Sequence, residues 1–321
     1  MKLIPGTKLS ESAKTAKFHN GWILCILITL LLFIIASTLQ SIVLGPVMTV
    51  LMFSDPSLIQ SAAAGDFSGI MEHSMEITRN MPWWFMVLSL ILTVTVIVVC
   101  LFYTTKIDRH SIATMGFCGS RPALEYLTGY GIGFCMFFAA LLICVVTKAA
   151  TIDGISDRIS WAVLLFFVGY LIQGLSEEVL CRGVLMQKLS IRYAPIVAIL
   201  LNSVFFAALH LANPGITPLA LPNLVLFGVF ASLYMWKRGN IWGIAALHSA
   251  WNFTQGNLFG VQVSGTALAP SLFSVSLAEG STWMNGGSFG LEGGLGVTIV
   301  YVIGIVILLF LPVRKEARLD A

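Results

Sequence analysis

The segment 22–44, "WILCILITLLLFIIASTLQSIVL", carries no charge, and a run this long and apolar can satisfy its own backbone only as a helix across a bilayer. Seven more apolar runs follow at roughly 83–103, 126–147, 160–187, 195–212, 219–236, 240–257 and 296–313. Charged residues make up 10% of the 321 positions and hydrophobic ones 57%, whereas soluble domains are roughly 25% charged. The pattern predicts an all-α polytopic membrane protein with about eight transmembrane helices. The first run is too long for a cleavable signal and lacks a small-residue cleavage site, so it reads as an anchor.

Cations set the orientation, because Lys and Arg accumulate in cytoplasmic loops. An N-terminus inside places Lys2, Lys8, Lys14, Lys17, Lys106, Arg109, Arg121, Lys188, Arg192, Lys237, Arg238, Arg314, Lys315 and Arg318 in the cytoplasm. It leaves Arg79, Lys148 and Arg158 outside, with Arg182 set aside as part of a motif. Both termini are therefore expected to be cytoplasmic. The net charge of +3 is a topology signal, with no basic patch suited to nucleic acid. Cys25, Cys100, Cys135, Cys144 and Cys181 fall in spans and Cys118 in a cytoplasmic loop, which argues against a disulfide framework. The chain divides into an N-terminal membrane region of three spans (1–159), a core bearing polar motifs (160–257), and a Gly-rich outer loop with the last span (258–321).

Ionisable residues are sorted by depth. All six Asp (55, 66, 108, 153, 157 and 320) map to loops or the tail, and only Glu177 and Glu178 of the nine Glu lie in a span. His210 and His248 lie in spans, unlike His19, His73 and His110. Such groups cost at least a few kcal/mol in lipid and face a protein interior or a wet cavity, so four of them suggest one shared site. On a helix Glu178 and Arg182 are i,i+4 neighbours suited to an ion pair, as are His248 with Asn252 and Phe206 with His210. Spans four and five form a hairpin turning near Ala194 and Pro195. Glu177 and His210 then lie level, roughly 25 Å from the turn, and His248 reaches that depth if the hairpin projects into the cytoplasm.

"EEVLCR", "FAALH" and "HSAWN" follow Glu-Glu-x-x-x-Arg, Phe-x-x-x-His and His-x-x-x-Asn patterns in that order. The stretch 160–257 thereby resembles the CAAX prenyl endopeptidase and bacteriocin-processing family of intramembrane proteases, and "NGGSFGLEGG" is also similar to loops of bacterial members. The resemblance implies an eight-helix peptidase whose Glu and His activate water. The chemistry is coherent with that: a carboxylate in a low-dielectric cavity is suited to shuttling protons, and hydrolysis also needs donors for the oxyanion. Glu177 is read as the general base, His210 as the group orienting the water, and His248 with Asn252 as oxyanion donors. Glu178 with Arg182 is structural support, and Phe206 braces the imidazole.

No His-Glu-x-x-His occurs and no Asp lies in a span, which sets aside the common zinc-protease motif and an aspartyl dyad. Ser176 and Cys181 read as packing rather than nucleophiles. The family is often called metalloprotease, and Glu177, His210, His248 and Asn252 could supply zinc ligands. Zinc or metal-free water activation stays open, with a lean to no tightly held metal. Two other readings stand beside the protease: a non-catalytic bacteriocin-immunity or scaffold protein, and a proton-coupled transporter, for which repeat symmetry is missing. The expected partners are a peptide or lipidated protein substrate and the bilayer. The expected location is a bacterial plasma membrane, and oligomeric state is left open.

Overall fold

The computed structural model describes residues 4–15 and 17–319, apart from the Arg79 side chain; Lys2, Asp320 and that side chain lie outside the described part. The protein is a polytopic helical membrane protein, 71% helical. Every apolar run is a helix: α1 (Trp22–Phe53), α2 (Trp83–Ile107), α3 (Pro122–Val146), α4 (Val163–Ser190), α5 (Pro195–Leu209), α6 (Ala220–Arg238), α7 (Trp242–Phe253) and α8 (Leu295–Phe310). Five of them, α1 to α4 and α6, are long and apolar enough to cross a membrane by themselves. The others are shorter, so the eight expected spans differ in reach. Helix α1 runs nine residues past its expected end at 44, through Pro46 to Phe53.

The ends of the bundle are built differently. At one end, Glu125 in the first turn of α3 accepts a two-pronged hydrogen bond from Arg238 of α6, at 2.9 and 2.7 Å, and also pairs with Arg314 after α8. Lys188 of α4 donates to Asp108 at 2.7 Å, the Trp236 indole N–H donates to the Pro5 carbonyl, and Thr7 bridges Arg318. The segments read as cytoplasmic therefore converge. Glu125, assigned to a loop by its flanking sequence, is a buried helix residue. At the opposite end, β1 (Ala150–Ile155) pairs antiparallel with β2 (Phe273–Leu277), and Asn285 donates to the Ala149 carbonyl. Among the described residues this small sheet is the one departure from the all-α expectation, and it ties the long Gly-rich segment to the end of α3.

Helix α7 is the central post, buried along nearly its whole length. It lies against α3 because Gly129 and Gly133, one turn apart, bring the backbones together: a Cβ at either would run into the carbonyl of Gly243 or Leu247. Gly174 of α4 meets Ser249 of α7 in the same way. Small residues drive such approaches in membranes, where apolar burial against lipid contributes little. The two crossings hold α7 against α4 and bring His248 beside the paired glutamates.

Candidate active site

Helix α4 is a regular α-helix to Glu178 and then winds more widely, with π-type hydrogen bonds over Val179–Met186. Such local widening recurs at functional sites. Adjacent residues point about 100° apart on a helix, so Glu177 faces a cavity while Glu178 turns inward. The Glu178 side chain is 0% exposed and its Oε1 accepts from Arg182 Nη1 at 3.0 Å, so the expected ion pair forms despite the altered winding. The guanidinium, also fully buried, lies 4.7 Å from the Phe206 ring centre and 5.7 Å from that of Phe227, and donates to the Gly228 carbonyl at 3.3 Å.

Glu178 has a second partner that sequence spacing did not suggest. His248 Nδ1 lies 2.9 Å from Glu178 Oε1. With Glu178 ionised, Nδ1–H donates, which turns Nε2 toward Glu177 Oε2, 3.7 Å away. A carboxylate behind an imidazole holds its ring orientation and stabilises a positive charge on it. Glu178 thus anchors both Arg182 and His248.

Gln173 was also passed over, because only ionisable residues were sorted by depth. It sits one turn before Glu177, donates to Glu177 Oε1 at 2.5 Å and accepts from Asn252 Nδ2 at 2.9 Å. One amide therefore links the carboxylate of α4 to the carboxamide of α7. A neutral polar residue in an apolar span, spaced i,i+4 from Glu177, was the available signal.

His210 does not lie within a helix. It is the C-cap of α5, where the last turn tightens: His210 and Leu211 N–H donate to the Ala207 and Ala208 carbonyls. His210 Nδ1 is 2.9 Å from the Phe206 carbonyl, so Nδ1 carries the proton and Nε2 is free, and the rings of Phe206 and His210 lie 4.7 Å apart. Phe206 braces the imidazole through its backbone as well as its ring.

Glu177, His210, His248 and Asn252 all line one cavity of about 150 Å³, together with Gln173. Its other wall comes from the end of the bundle bearing the small sheet: Asn213, Ser264, Thr266 and Glu292. The cavity thus reaches the loops opposite the α4–α5 turn. The loop after α7 folds back over His248, a placement no local pattern encodes. Beside it lies a larger apolar chamber of about 670 Å³ that shares Leu90, Tyr170 and Thr266 and is lined by Met71, Met75, Met81 and Met86.

The free Nε2 atoms of both histidines have the chemistry of metal ligands. The spacing does not fit: among the described residues, no three His, Cys, Asp or Glu side chains converge as a metal site. All six cysteines are free thiols, and Cys181 is fully buried. Ser176 donates its hydroxyl to the Gln173 carbonyl, in keeping with packing roles for both.

Fold and site together define a helical membrane protein with a carboxylate–imidazole centre on the wall of a cavity of about 150 Å³. Residues 159–254 match the family model described as Type II CAAX prenyl endopeptidase Rce1-like, a stretch that runs through α4 to α7 and contains all three motifs. The match supports a likeness of this stretch to the CAAX protease family. No curated protein and no solved structure matches it.

Proposed function

We propose that the protein is an intramembrane endopeptidase that hydrolyses a peptide bond of a membrane-associated or lipidated peptide with water activated by Glu177. The observation that carries this reading is the facing of Glu177 Oε2 and His248 Nε2, 3.7 Å apart on the cavity wall. Glu177 Oε2 has no hydrogen-bond partner within the protein, and Gln173 holds the other oxygen. A water seated against Oε2 gives its proton to Glu177 as its oxygen bonds to the scissile carbonyl carbon. The oxyanion so formed is held by Asn252 and by His248, which donates when protonated against Glu178. His210 Nε2 orients the water. Proton transfer from Glu177 to the amide nitrogen then lets the C–N bond break, releasing an amine and a carboxylic acid.

The methionine-lined chamber beside the cavity supports a substrate with a flexible apolar part, because unbranched thioethers adapt to irregular shapes. All eight helices are taken to cross the bilayer of a bacterial plasma membrane with both termini cytoplasmic, in line with the convergence of the basic segments. The loops around the cavity then face outward. In a cleavage assay with a quenched fluorescent lipopeptide in detergent, Glu177→Gln is expected to lower turnover by about 100-fold or more. Its melting temperature should stay at the parent value, because the side chain is 30% exposed and His248 keeps Glu178 as its closer partner. Parental turnover in this variant would end the assignment.

A further inference from the structure

We infer that Glu292 is a specificity-determining carboxylate that receives a cationic side chain of the bound peptide beside the bond to be cleaved. The inference deepens the protease reading and rests on it for the identity of the ligand as a peptide.

Four acidic residues are buried in the described part of the protein: Asp108, Glu125, Glu178 and Glu292. The fold gives three of them a cation of its own, Lys188 for Asp108, Arg238 and Arg314 for Glu125, and Arg182 for Glu178. Glu292 has none. It is 7% exposed and its Oε2 accepts only neutral donors, Ser264 N–H at 2.8 Å and Ser264 Oγ–H at 2.7 Å. A buried carboxylate without a counter-charge is costly, so its retention calls for a partner. It lines the same cavity as Glu177, His210 and His248, and both histidines lie within electrostatic range of it.

The surrounding loop holds this carboxylate in place. Gly290, two residues earlier, has φ +93, and a Cβ there would run into the Gln262 carbonyl. Asn223 of α6 donates to the carbonyls of Glu292 and Gly294 at 2.8 and 2.9 Å, and its own oxygen accepts from Thr298. Glu292 is thus fixed from both sides and aimed at a space the protein leaves open. Burial pushes its carboxyl above the ordinary carboxylate range, against the lowering effect of Ser264. An arriving ammonium or guanidinium supplies the missing charge. Three carboxylates, Glu177, Glu178 and Glu292, face Arg182 and, when it is protonated, His248, so at least one negative charge stays unmatched, which favours Lys or Arg over an acidic residue.

Binding tests this apart from turnover. Capped hexapeptides of leucine and alanine, with one central lysine or one central norleucine, are titrated into the full-length Glu177→Gln protein in detergent and followed by intrinsic tryptophan fluorescence. The lysine peptide is expected to bind about tenfold or more tightly. Adding Glu292→Gln should bring the ratio close to one by weakening the lysine peptide alone. A ratio unmoved by Glu292→Gln, or no saturable binding of either peptide, overturns the inference. The preference of the Glu177→Gln protein is itself a test that needs no substitution at 292, so misfolding of the double variant does not remove it: equal affinities there overturn the inference as well. A lysine preference without cleavage by the parent protein would instead count against the protease reading, and cleavage without preference against Glu292.

Discussion

Replacing Glu178 by Gln separates two functions that meet in one side chain. The amide is nearly isosteric and can still accept one hydrogen bond, but the negative charge shared by Arg182 and His248 is gone. Arg182 is 0% exposed, and its Nε already lacks a hydrogen-bond partner, so the substitution leaves a guanidinium with only the Gly228 carbonyl and two aromatic faces. Breaking a buried pair in this way costs about 3–5 kcal/mol. Thermal unfolding in detergent should show a fall of several degrees, and cleavage should drop by about 10–100-fold as His248 loses the group that orients it. A companion variant, Glu178→Gln with Arg182→Met, removes the stranded charge and fills the space between Phe206 and Phe227. It should regain most of the stability and none of the activity. The reversed pair, Glu178→Arg with Arg182→Glu, should fail on both counts because it sets a cation against His248. Parental melting and cleavage in Glu178→Gln, or turnover restored by Arg182→Met, would refute the role of Glu178 as shared anchor.

Two other expectations concern packing and access. Gly133→Leu forces a side chain into the Leu247 carbonyl and should cost about 3 kcal/mol or more, seen as loss of a monodisperse peak in size-exclusion chromatography; a parental profile would mean that α3 and α7 do not cross there. In a cysteine-free background, Glu177→Cys should react faster with a membrane-impermeant charged thiol reagent applied to the face bearing the 258–295 loop than to the face bearing Arg192, and the opposite order would place the opening at the α4–α5 turn.

Hydropathy carried most of the fold, because a bilayer admits few alternatives to helices and each apolar run had to become one. Element lengths were less legible. Helix α5 already ends at Leu209, ahead of Pro214, and tertiary packing rather than local pattern keeps α7 helical in so short a stretch. The motifs placed Glu177, Glu178, His210, His248 and Asn252 in apolar surroundings, and the Glu178–Arg182 pair followed from helical spacing alone. The contact between Glu178 and His248 links residues 70 apart and depends on how closely α4 and α7 approach, which is set at Gly174 rather than in either motif. Glu292 was hidden for a similar reason: a carboxylate in a Gly-rich loop looks solvated until the loop is seen to fold inward. Gln173 could have been found by counting neutral amides alongside charges.

The helix that delivers His210 is 15 residues long and α8 is 16, about 22 and 24 Å at 1.5 Å per residue, against a hydrocarbon core of about 30 Å. Both present apolar side chains to the surroundings, Ile196, Leu200 and Val204 on α5 and Ile299, Val302 and Val306 on α8. On the proposal that all eight helices cross the bilayer, lipid next to these two thins to meet them. Such a dimple shortens the path by which a bilayer-anchored peptide leaves its acyl surroundings, and it makes membrane thickness a variable to which the two histidine-bearing walls respond unequally, since α7 is sealed inside the bundle and α5 is not.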